Sequence, residues 1–152
     1  MKIAQIMKEA VVTAAPSETL RSLSKKMDDS GVGAIPIVEG DRLQGIVTDR
    51  DIVVRCLSRN KDPGKMTAGE IMSTQVTCIT PERTVTEAAA LMGAAQVHRL
   101  PVLRGSRVAG MVSLGDIAKV KTDSEVARAV YNIAQPSPAA CRRGKPRPRL
   151  SL

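Results

Sequence analysis

Apolar and polar residues alternate along this chain with two different periods, which predict short helices separated by short strands. Leu20, Leu23 and Met27 are spaced three or four residues apart, so they share one face of a predicted helix. Thr19 stands directly before them and is a typical residue for the N-cap of a helix. Because the β-prone residues 11–13 precede this helix, we predict a strand followed by a helix.

A β-hairpin and a second helix are predicted next. Two apolar runs, residues 34–38 and 42–48, flank the turn-forming residues 39–41, and this pattern is typical of two antiparallel strands joined by a tight turn. Residues 49–58 then carry apolar side chains at helical spacing. The order of predicted elements is therefore β-α-β-β-α.

This whole pattern occurs twice, with an offset of 65 residues. Residues 6–52 align without a gap to residues 71–117, and 14 of the 47 positions are identical. Unrelated sequences of average composition would share roughly one position in fifteen. We therefore divide the chain into a first unit at residues 1–58, a linker at 59–66 and a second unit at 67–135, which ends in a further amphipathic helix. The expected fold class is α/β, with two similar compact units.

The composition argues against several classes of protein. The chain is 43% hydrophobic and 25% charged, as in an ordinary globular protein. One Tyr and no Phe or Trp leave no set of aromatic platforms for stacking single-stranded nucleic acid. Three widely spaced Cys and a single His suggest neither a disulfide framework nor a zinc site. No apolar run approaches the ~20 residues of a membrane span and no secretory signal is recognised, so we expect a cytoplasmic protein without a membrane partner.

Positive charge is concentrated toward the C-terminal end of the sequence. Residues 141–149 hold five cations and no acid, which leaves +3 of the formal net charge of +8 for the rest of the chain. Residues 136–152 are also rich in Pro and poor in large apolar side chains. We therefore expect a disordered basic tail there.

Each repeat carries a hydroxyl and a carboxylate three residues apart, where its last predicted strand runs into a helix. The pairs are Thr48 with Asp51 and Ser113 with Asp116. One interpretation is a capping box that binds backbone N–H groups and contributes about 0.5 to 2 kcal/mol. The other is a nucleotide site, in which the carboxylate accepts hydrogen bonds from the ribose hydroxyls. The spacing alone does not choose between them.

Several motif positions recur in both repeats at the same spacing. Both contain P-x-x-T, a later Met, (I/L)-P-(I/V), a turn Gly and G-(I/M)-V-(T/S)-x-x-D-I. In this pattern residues 1–120 resemble a tandem pair of CBS domains, the module named after cystathionine β-synthase. Residues 47–53, Val-Thr-Asp-Arg-Asp-Ile-Val, together with an Asp-Pro linker, are similar to stand-alone bacterial two-CBS proteins of the hypoxic-response type. The resemblance implies two β-α-β-β-α units packed sheet to sheet with pseudo-twofold symmetry.

The resemblance also implies which residues contact a ligand. In this family the carboxylate of the G-h-(T/S)-x-x-D motif binds the ribose of an adenine nucleotide or S-adenosylmethionine, and the hydroxyl lies near the ligand. The matching ribose residues are Thr48, Asp51, Ser113 and Asp116. The residues expected to line the base pocket are Val12, Thr13, Thr77 and Cys78.

A cationic pair in the second repeat is the main candidate for phosphate contact. His98 and Arg99 precede a predicted strand and resemble the pair that contacts phosphate in AMP-sensing members of the family. The alternative is a solvated pair at a strand entrance. The first repeat has Gly33 and Ala34 at these positions, so the two sites are expected to be unequal, with Arg50 a weaker phosphate candidate.

The expected function is non-catalytic. The sequence contains no P-loop, recognisable nucleophile motif or carboxylate-rich metal cluster, and no resident cofactor is expected. We predict a regulatory module that holds AMP, ADP, ATP or S-adenosylmethionine in the cleft between its two units, forms a homodimer and acts on an unknown partner protein. The rival prediction is an interaction scaffold whose basic tail binds nucleic acid or an acidic partner, and phosphate-backbone binding of that kind would weaken steeply as salt rises.

Overall fold

The computed structural model describes residues 1–121 and 124–135. The helices and strands, in chain order, are α1 (Leu20–Ser30), β1 (Ala34–Glu39), β2 (Arg42–Thr48), α2 (Asp49–Arg55), α3 (Ala68–Ile71), α4 (Val85–Ala95), β3 (Arg99–Arg104), β4 (Arg107–Ser113), α5 (Leu114–Val120) and α6 (Ser124–Ala134). This mixture of helices and antiparallel strands confirms the predicted α/β class. The basic tail at residues 136–152 lies outside the described residues and stays a prediction.

The contacts group the residues into two compact units, which do not coincide with the two sequence repeats. Unit A combines Met1–Val11 with Thr77–Gly105 and the described residues from Ala109 onward. Unit B combines Val12–Val76 with Ser106–Val108. The first residues of each repeat therefore belong to the compact unit built around the hairpin of the other repeat. The domain limits given by the sequence follow the repeats, and they remain a prediction.

Each unit has its own hydrophobic core of aliphatic side chains. Most of the fully buried core residues of unit B come from α1 and the first hairpin, and they include Leu20, Leu23, Ile35, Ile37 and Val47. Those of unit A come mainly from α4, the second hairpin and α5, and they include Ala88, Met92, Leu100, Val102, Val112 and Ile117. The predicted apolar face of α1 is therefore confirmed.

Helix α1 begins with the predicted cap, and Thr84, at the position of Thr19 in the second repeat, caps α4. Thr19 Oγ1 accepts a hydrogen bond of 3.2 Å from Ser22 N. Thr84 Oγ1 accepts from Glu87 N at 3.2 Å, while the Glu87 carboxylate accepts from Thr84 N at 2.8 Å, which completes a capping box. Helix α1 ends at Gly31, whose φ of +62° is the left-handed conformation that glycine adopts readily.

Both predicted hairpins are present, but the first predicted strand of each repeat is not a full strand. β1 pairs antiparallel with β2 from Ala34 to Glu39, with a bulge after Ile37, and β3 is hydrogen-bonded to β4. The strand expected at residues 11–13 is reduced to one parallel bridge between Ala14 and Ile37, and Ile79 with Val102 forms its counterpart. Proline, which has no N–H, follows two residues after each bridge and helps to end the ladder.

The helix after the first hairpin is shorter than predicted. Helix α2 ends at Arg55, and a separate 3-10 turn covers Leu57–Arg59. Cys56 departs from helical geometry with φ −117° and ψ −69°, and its thiol donates to Lys61 O at 3.4 Å. Asn60, with φ of 54°, ends this turn in a left-handed conformation, so the helix does not continue through residue 58.

A backbone segment crosses the second hairpin strand of each unit at close range. In unit B, Ile46 of β2 exchanges two N–H···O bonds of 3.0 Å with Ser73. In unit A, Met111 of β4 exchanges bonds of 2.8 and 2.9 Å with Lys8. In both units the crossing segment is the start of the other repeat, which explains why contacts and repeats divide the chain differently.

Glycine is required where these segments cross. A β-carbon at Gly45 would lie 2.7 Å from Met72 Sδ and 2.8 Å from the carbonyl oxygen of Ser73. A β-carbon at Gly110 would lie 3.0 Å from the carbonyl oxygen of Lys8. The methionine side chain can move, but the backbone oxygens are fixed by the bridges themselves.

We predict that Gly45→Ala destabilises the protein by about 1 to 3 kcal/mol, because the added methyl group forces the crossing backbone away from β2. Gly110→Ala should destabilise the protein less, since the closest contact of a β-carbon is 3.0 Å there and 2.7 Å at Gly45. Gly115→Ala is the control: an added β-carbon there meets nothing closer than Ser113 Oγ at 3.7 Å, so it should be neutral or stabilising by up to about 1 kcal/mol. Urea unfolding followed by circular dichroism measures all three. Equal stability of the Gly45 and Gly115 variants would contradict the argument.

Candidate functional site

In unit A, Ser113 and Asp116 form a capping box at the start of α5. Asp116 N donates to Ser113 Oγ at 3.1 Å, while Asp116 Oδ2 accepts from Ser113 N at 3.0 Å and from Ser113 Oγ at 2.5 Å. The other carboxylate oxygen, Oδ1, lies 3.8 Å from Lys8 Nζ and 3.9 Å from Lys119 Nζ, beyond hydrogen-bond distance. The capping interpretation of the motif is therefore confirmed, and only one of the two carboxylate oxygens takes part in it.

The Asp116 carboxylate is held in its ionised form. Burial, which leaves the residue 8% exposed, would raise its pKa, but hydrogen bonds from the Ser113 side chain and backbone and the charges of Lys8 and Lys119 bring the pKa below its usual value. An ionised carboxylate accepts hydrogen bonds at both oxygens. Oδ1 can therefore accept from a ligand hydroxyl without breaking the cap.

A backbone hydrogen bond holds His98 and the adjacent Arg99 beside this motif. Leu114 N, in the first turn of α5, donates to the carbonyl oxygen of His98 at 2.7 Å. An open cleft of about 490 Å³ lies next to this contact. Its lining residues are His98, Arg99, Ser113, Leu114, Gly115, Ala118, Val126 and Val130. The structure thus brings the predicted phosphate pair and the predicted ribose hydroxyl to one cleft, and Asp116 is not among the residues that line it.

The base residues predicted in the same unit lie elsewhere. Cys78 lines a separate cleft of about 320 Å³, together with Ile79, Thr80, Arg83, Glu87 and Leu91. Burial raises the pKa of the Cys78 thiol to about 11, so the sulfur is protonated at neutral pH and is a poor nucleophile. Thr77 is half-buried directly before it. Neither residue lines the cleft that holds His98 and Arg99.

The equivalent motif in unit B has a different electrostatic partner. Thr48 and Asp51 form the same capping box, with hydrogen bonds of 2.9 and 3.1 Å. Arg55 Nε lies 3.7 Å from Asp51 Oδ1, and the two side chains are only 19% and 13% exposed. Arg55 is itself anchored by a 2.6 Å hydrogen bond to the carbonyl oxygen of Ile71. A half-buried, anchored arginine therefore faces the oxygen that a ribose would need in unit B.

The remaining predicted residues of unit B are spread over several elements. Val12 and Thr13 are half-buried, and the carbonyl oxygen of Thr13 accepts a 3.0 Å hydrogen bond from Lys26 Nζ. Arg50 is exposed on α2. Asp49 N donates to the carbonyl oxygen of Gly33 at 3.0 Å, which repeats the backbone tie of unit A without a cationic side chain. The ligand roles of all these residues stay predictions.

Sequence reasoning missed the apolar side of the cleft in unit A. Leu114 and Ala118 come from α5, and Val126 and Val130 come from α6. The sequence shows that Val126 and Val130 belong to an amphipathic helix, but periodicity does not say what that helix packs against. Gly115, which stands in the second repeat where the first has Arg50, also lines the cleft.

Residues 1–121 and 124–135 contain neither a cluster suited to a metal ion nor a membrane-spanning helix. No group of three or more His, Cys, Asp or Glu residues there is placed to hold a metal ion. No helix in the same ranges is long and apolar enough to span a lipid bilayer.

The repeated capping motif and the tandem hairpins define the class of protein. A family model for the CBS domain matches residues 3–58 and 68–123, which correspond to the two repeats. The chain therefore belongs to the CBS-domain family and contains two such domains in tandem, as predicted. Paired CBS domains are regulatory modules.

Two relatives are similar to most of the chain. CBS domain-containing protein YhcV of Bacillus subtilis is 36% identical over 125 residues, covering 82% of this chain and 89% of the relative. Hypoxic response protein 1 of Mycobacterium tuberculosis is 33% identical over 132 residues, covering 86% of this chain and 92% of the relative. The resemblance to stand-alone two-CBS proteins of the hypoxic-response type is therefore confirmed.

A solved structure gives a comparison with ligands bound. The CBS domain pair of protein MJ0100 was crystallised in complex with 5′-methylthioadenosine and S-adenosyl-L-methionine. It matches this fold with a TM-score of 0.72 at 26% identity, covering 79% of this chain and 94% of that one. Both of its ligands contain an adenosyl group.

We predict that Asp116→Asn destabilises the protein in a pH-dependent way. Because the folded-state pKa of Asp116 is lowered, the ionised carboxylate stabilises the fold above its unfolded pKa of about 3.9, and this contribution is lost as the pH falls through the folded-state value. The substitution should therefore lower the free energy of unfolding by about 0.5 to 2 kcal/mol near pH 7. The difference in this free energy between the variant and the wild type should shrink below about pH 4.

Urea unfolding between pH 3 and pH 7 measures this difference. Asp29→Asn is the control, since Asp29 makes an exposed ion pair of 3.3 Å with Lys25 and such pairs contribute little. A cost for Asp116→Asn that is the same at every pH would contradict the electrostatic account of the cap.

Proposed function

We propose that this protein is a non-catalytic sensor in which unit A binds an adenosyl compound, one of AMP, ADP, ATP or S-adenosylmethionine. The observation that carries this proposal is the convergence of His98, Arg99 and Ser113 on one cleft of about 490 Å³. That volume lies within the range of about 300 to 1,000 Å³ typical of small-molecule sites. The adenosyl ligands of the MJ0100 domain pair support the same class of ligand.

The cationic pair is suited to a phosphate. Arg99 offers planar N–H donors that match phosphate oxygens, and His98 adds donors and, when protonated, charge. Ser113 and Oδ1 of Asp116 are the candidate ribose partners, because the cap uses only Oδ2. Base contact by Thr77 and Cys78 remains the assignment made from sequence.

Unit B is proposed to bind such a ligand more weakly or not at all. Glycine and alanine stand where unit A has His98 and Arg99. The Oδ1 atom of Asp51 lies 3.7 Å from the anchored guanidinium of Arg55, and the two side chains are only 13% and 19% exposed. The lysines near Asp116 Oδ1 are 69% and 75% exposed, so a ribose hydroxyl would compete with a more firmly held ion pair in unit B than in unit A. One strong site is therefore expected, with Asp116 and not Asp51 as its carboxylate.

Binding would act through a population shift. A ligand that prefers one conformation of the module stabilises that conformation, and a partner protein that recognises it then responds. No enzymatic step is proposed, and the cytoplasm is the proposed location. The identity of the ligand among AMP, ADP, ATP and S-adenosylmethionine is a matter for experiment.

The first test is a thermal-shift titration with AMP. At about 100 times the dissociation constant, binding adds about 2.7 kcal/mol to the folded state, which corresponds to a rise of about 5 to 10 °C in Tm for a chain of this size. Arg99→Gln should weaken AMP binding by tenfold or more and leave adenosine binding unchanged, because only the phosphate contact is lost. Arg107→Gln, which removes a cation that is 73% exposed, is the matched control.

A lack of any shift with AMP, ADP, ATP or S-adenosylmethionine at millimolar concentration would refute the proposal. Calorimetry on Asp51→Ala and Asp116→Ala then tests whether unit A binds the ligand more tightly than unit B. Loss of the tight binding event is expected for Asp116→Ala alone, and equal losses would contradict it.

A homodimer is proposed as the assembled form. Val53, Val54 and Leu57 in and just after α2 are 54%, 42% and 51% exposed, which is unusual for neighbouring large apolar side chains. Light scattering should give about twice the chain mass of 16.2 kDa. Val53→Asp combined with Leu57→Asp should lower that mass without unfolding the chain, and a monomeric wild type at tens of micromolar would refute the dimer.

A further inference from the structure

Only two of the 14 positions that are identical in both repeats carry a charged residue. One is the motif carboxylate, Asp51 and Asp116, and the other is an arginine, Arg42 and Arg107. The remaining identical positions hold aliphatic residues, methionine, proline, glycine or threonine, which suit cores, turns and helix caps. Both arginines are exposed, so packing of the core does not explain why each repeat has one.

The structure places these two arginines directly opposite each other in unit B. Arg42 of β2 pairs with Arg107 of β4 in antiparallel register, and Ser106–Val108 belongs to the same compact unit as β2. The residues that flank each arginine exchange two backbone hydrogen bonds of 3.0 Å across the strands. The arginines therefore form a non-hydrogen-bonded pair, the type in which opposite side chains are closest, with about 5 Å between their β-carbons.

This pair of cations has little electrostatic compensation within the protein. Like charges directly opposite on neighbouring strands destabilise a sheet. Asp41 Oδ2 lies 3.9 Å from Arg107 Nη1, and the two side chains are 72% and 73% exposed, so this ion pair contributes little. Glu39 lies opposite Arg42 on β1. However, Arg42 makes no ion pair and no side-chain hydrogen bond with any residue that the structure describes.

A phosphate monoester matches two adjacent guanidinium groups in charge and in its number of acceptors. Its charge of about −1.5 to −2 at pH 7 nearly balances two arginines, and it has three strong acceptor oxygens. Each guanidinium presents a planar fork of N–H donors, and such forks bind phosphate oxygens through two parallel hydrogen bonds. A carboxylate has a single charge and two oxygens, so it satisfies only one fork.

We propose that Arg42 and Arg107 form an oxyanion site on unit B that binds a phosphate monoester group, supplied by a small molecule or by a phosphorylated segment of a partner protein. The site uses none of the residues that line the cleft of unit A. Because both arginines are exposed, the dissociation constant for a free phosphate is on the order of millimolar. Arg107→Gln therefore leaves tighter adenosyl binding unchanged.

An NMR titration of the isotope-labelled full chain with sodium phosphate, at constant ionic strength, measures this binding. The backbone amide and Nε–Hε signals of Arg42 and Arg107 should shift together with one dissociation constant. Arg42→Gln should raise that constant by about fivefold or more, since one of the two forks is lost. Arg21→Gln is the matched control, because Arg21 is 74% exposed and also lies 3.9 Å from an aspartate oxygen. The shifts should persist in Arg99→Gln, which separates this site from the cleft of unit A.

Two further measurements follow from the charges around the pair. Asp41→Asn removes the acid closest to Arg107, so it should lower the dissociation constant for phosphate by about twofold. Arg42→Gln should raise the urea midpoint of the phosphate-free protein, because it removes the repulsion between the arginines. Arg21→Gln should leave both quantities unchanged.

A pentapeptide with phosphoserine between glycines identifies the source of the phosphate. Tighter binding of this peptide than of inorganic phosphate, with no binding of the unphosphorylated peptide, supports recognition of a phosphorylated partner. Equal or weaker binding of the peptide supports a small-molecule phosphate. An absence of shifts at Arg42 and Arg107, or equal affinity of wild type and Arg42→Gln, overturns the oxyanion site. Neither result bears on adenosyl binding by unit A, which the AMP titration decides separately.

Discussion

The absence of a side chain at Gly45 and Gly110 is the constraint on which both compact units depend. At each glycine the start of the other repeat passes so close to a hairpin strand that a β-carbon would lie 2.8 or 3.0 Å from a backbone oxygen. The crossing gives the strand a hydrogen-bonded neighbour and brings the segment's apolar residues into the core of that unit. In unit A the strand fixed in this way, β4, leads directly into Ser113 and the candidate site.

The capping box at Ser113 and Asp116 sets the orientation and charge of the carboxylate on which the proposed site depends. Ser113 orients Asp116 by engaging Oδ2, and the same hydrogen bonds keep the carboxylate ionised although the residue is nearly buried. These hydrogen bonds and the nearby lysine charges offset the free energy lost by burying the charged carboxylate. Oδ1 lies 3.8 Å from Lys8 Nζ and 3.9 Å from Lys119 Nζ, which is longer than a hydrogen bond. The capping and ribose interpretations of the motif are compatible, since each needs a different oxygen.

The features that the sequence predicted well are local ones. Caps at Thr19 and Thr84 and the hairpin turns at Gly40 and Gly105 follow from residue types within a few positions, and the structure confirms them. The short extent of α2 and the reduction of the first strand to a bridge were missed, because tertiary hydrogen bonds and chain geometry set those limits. The apolar lining of the cleft by Val126 and Val130 could not be predicted either, since packing between segments about 30 residues apart brings them beside His98.

The exchange of initial segments bears on how a duplicated protein of this kind can arise. A single repeat taken alone would keep its hairpin but would have no second repeat to supply the segment that crosses it at Gly45 or Gly110. Two separate copies could satisfy each other by trading those segments, as in a domain-swapped pair. Fusion of the copies then makes the exchange intramolecular, so that it no longer depends on protein concentration.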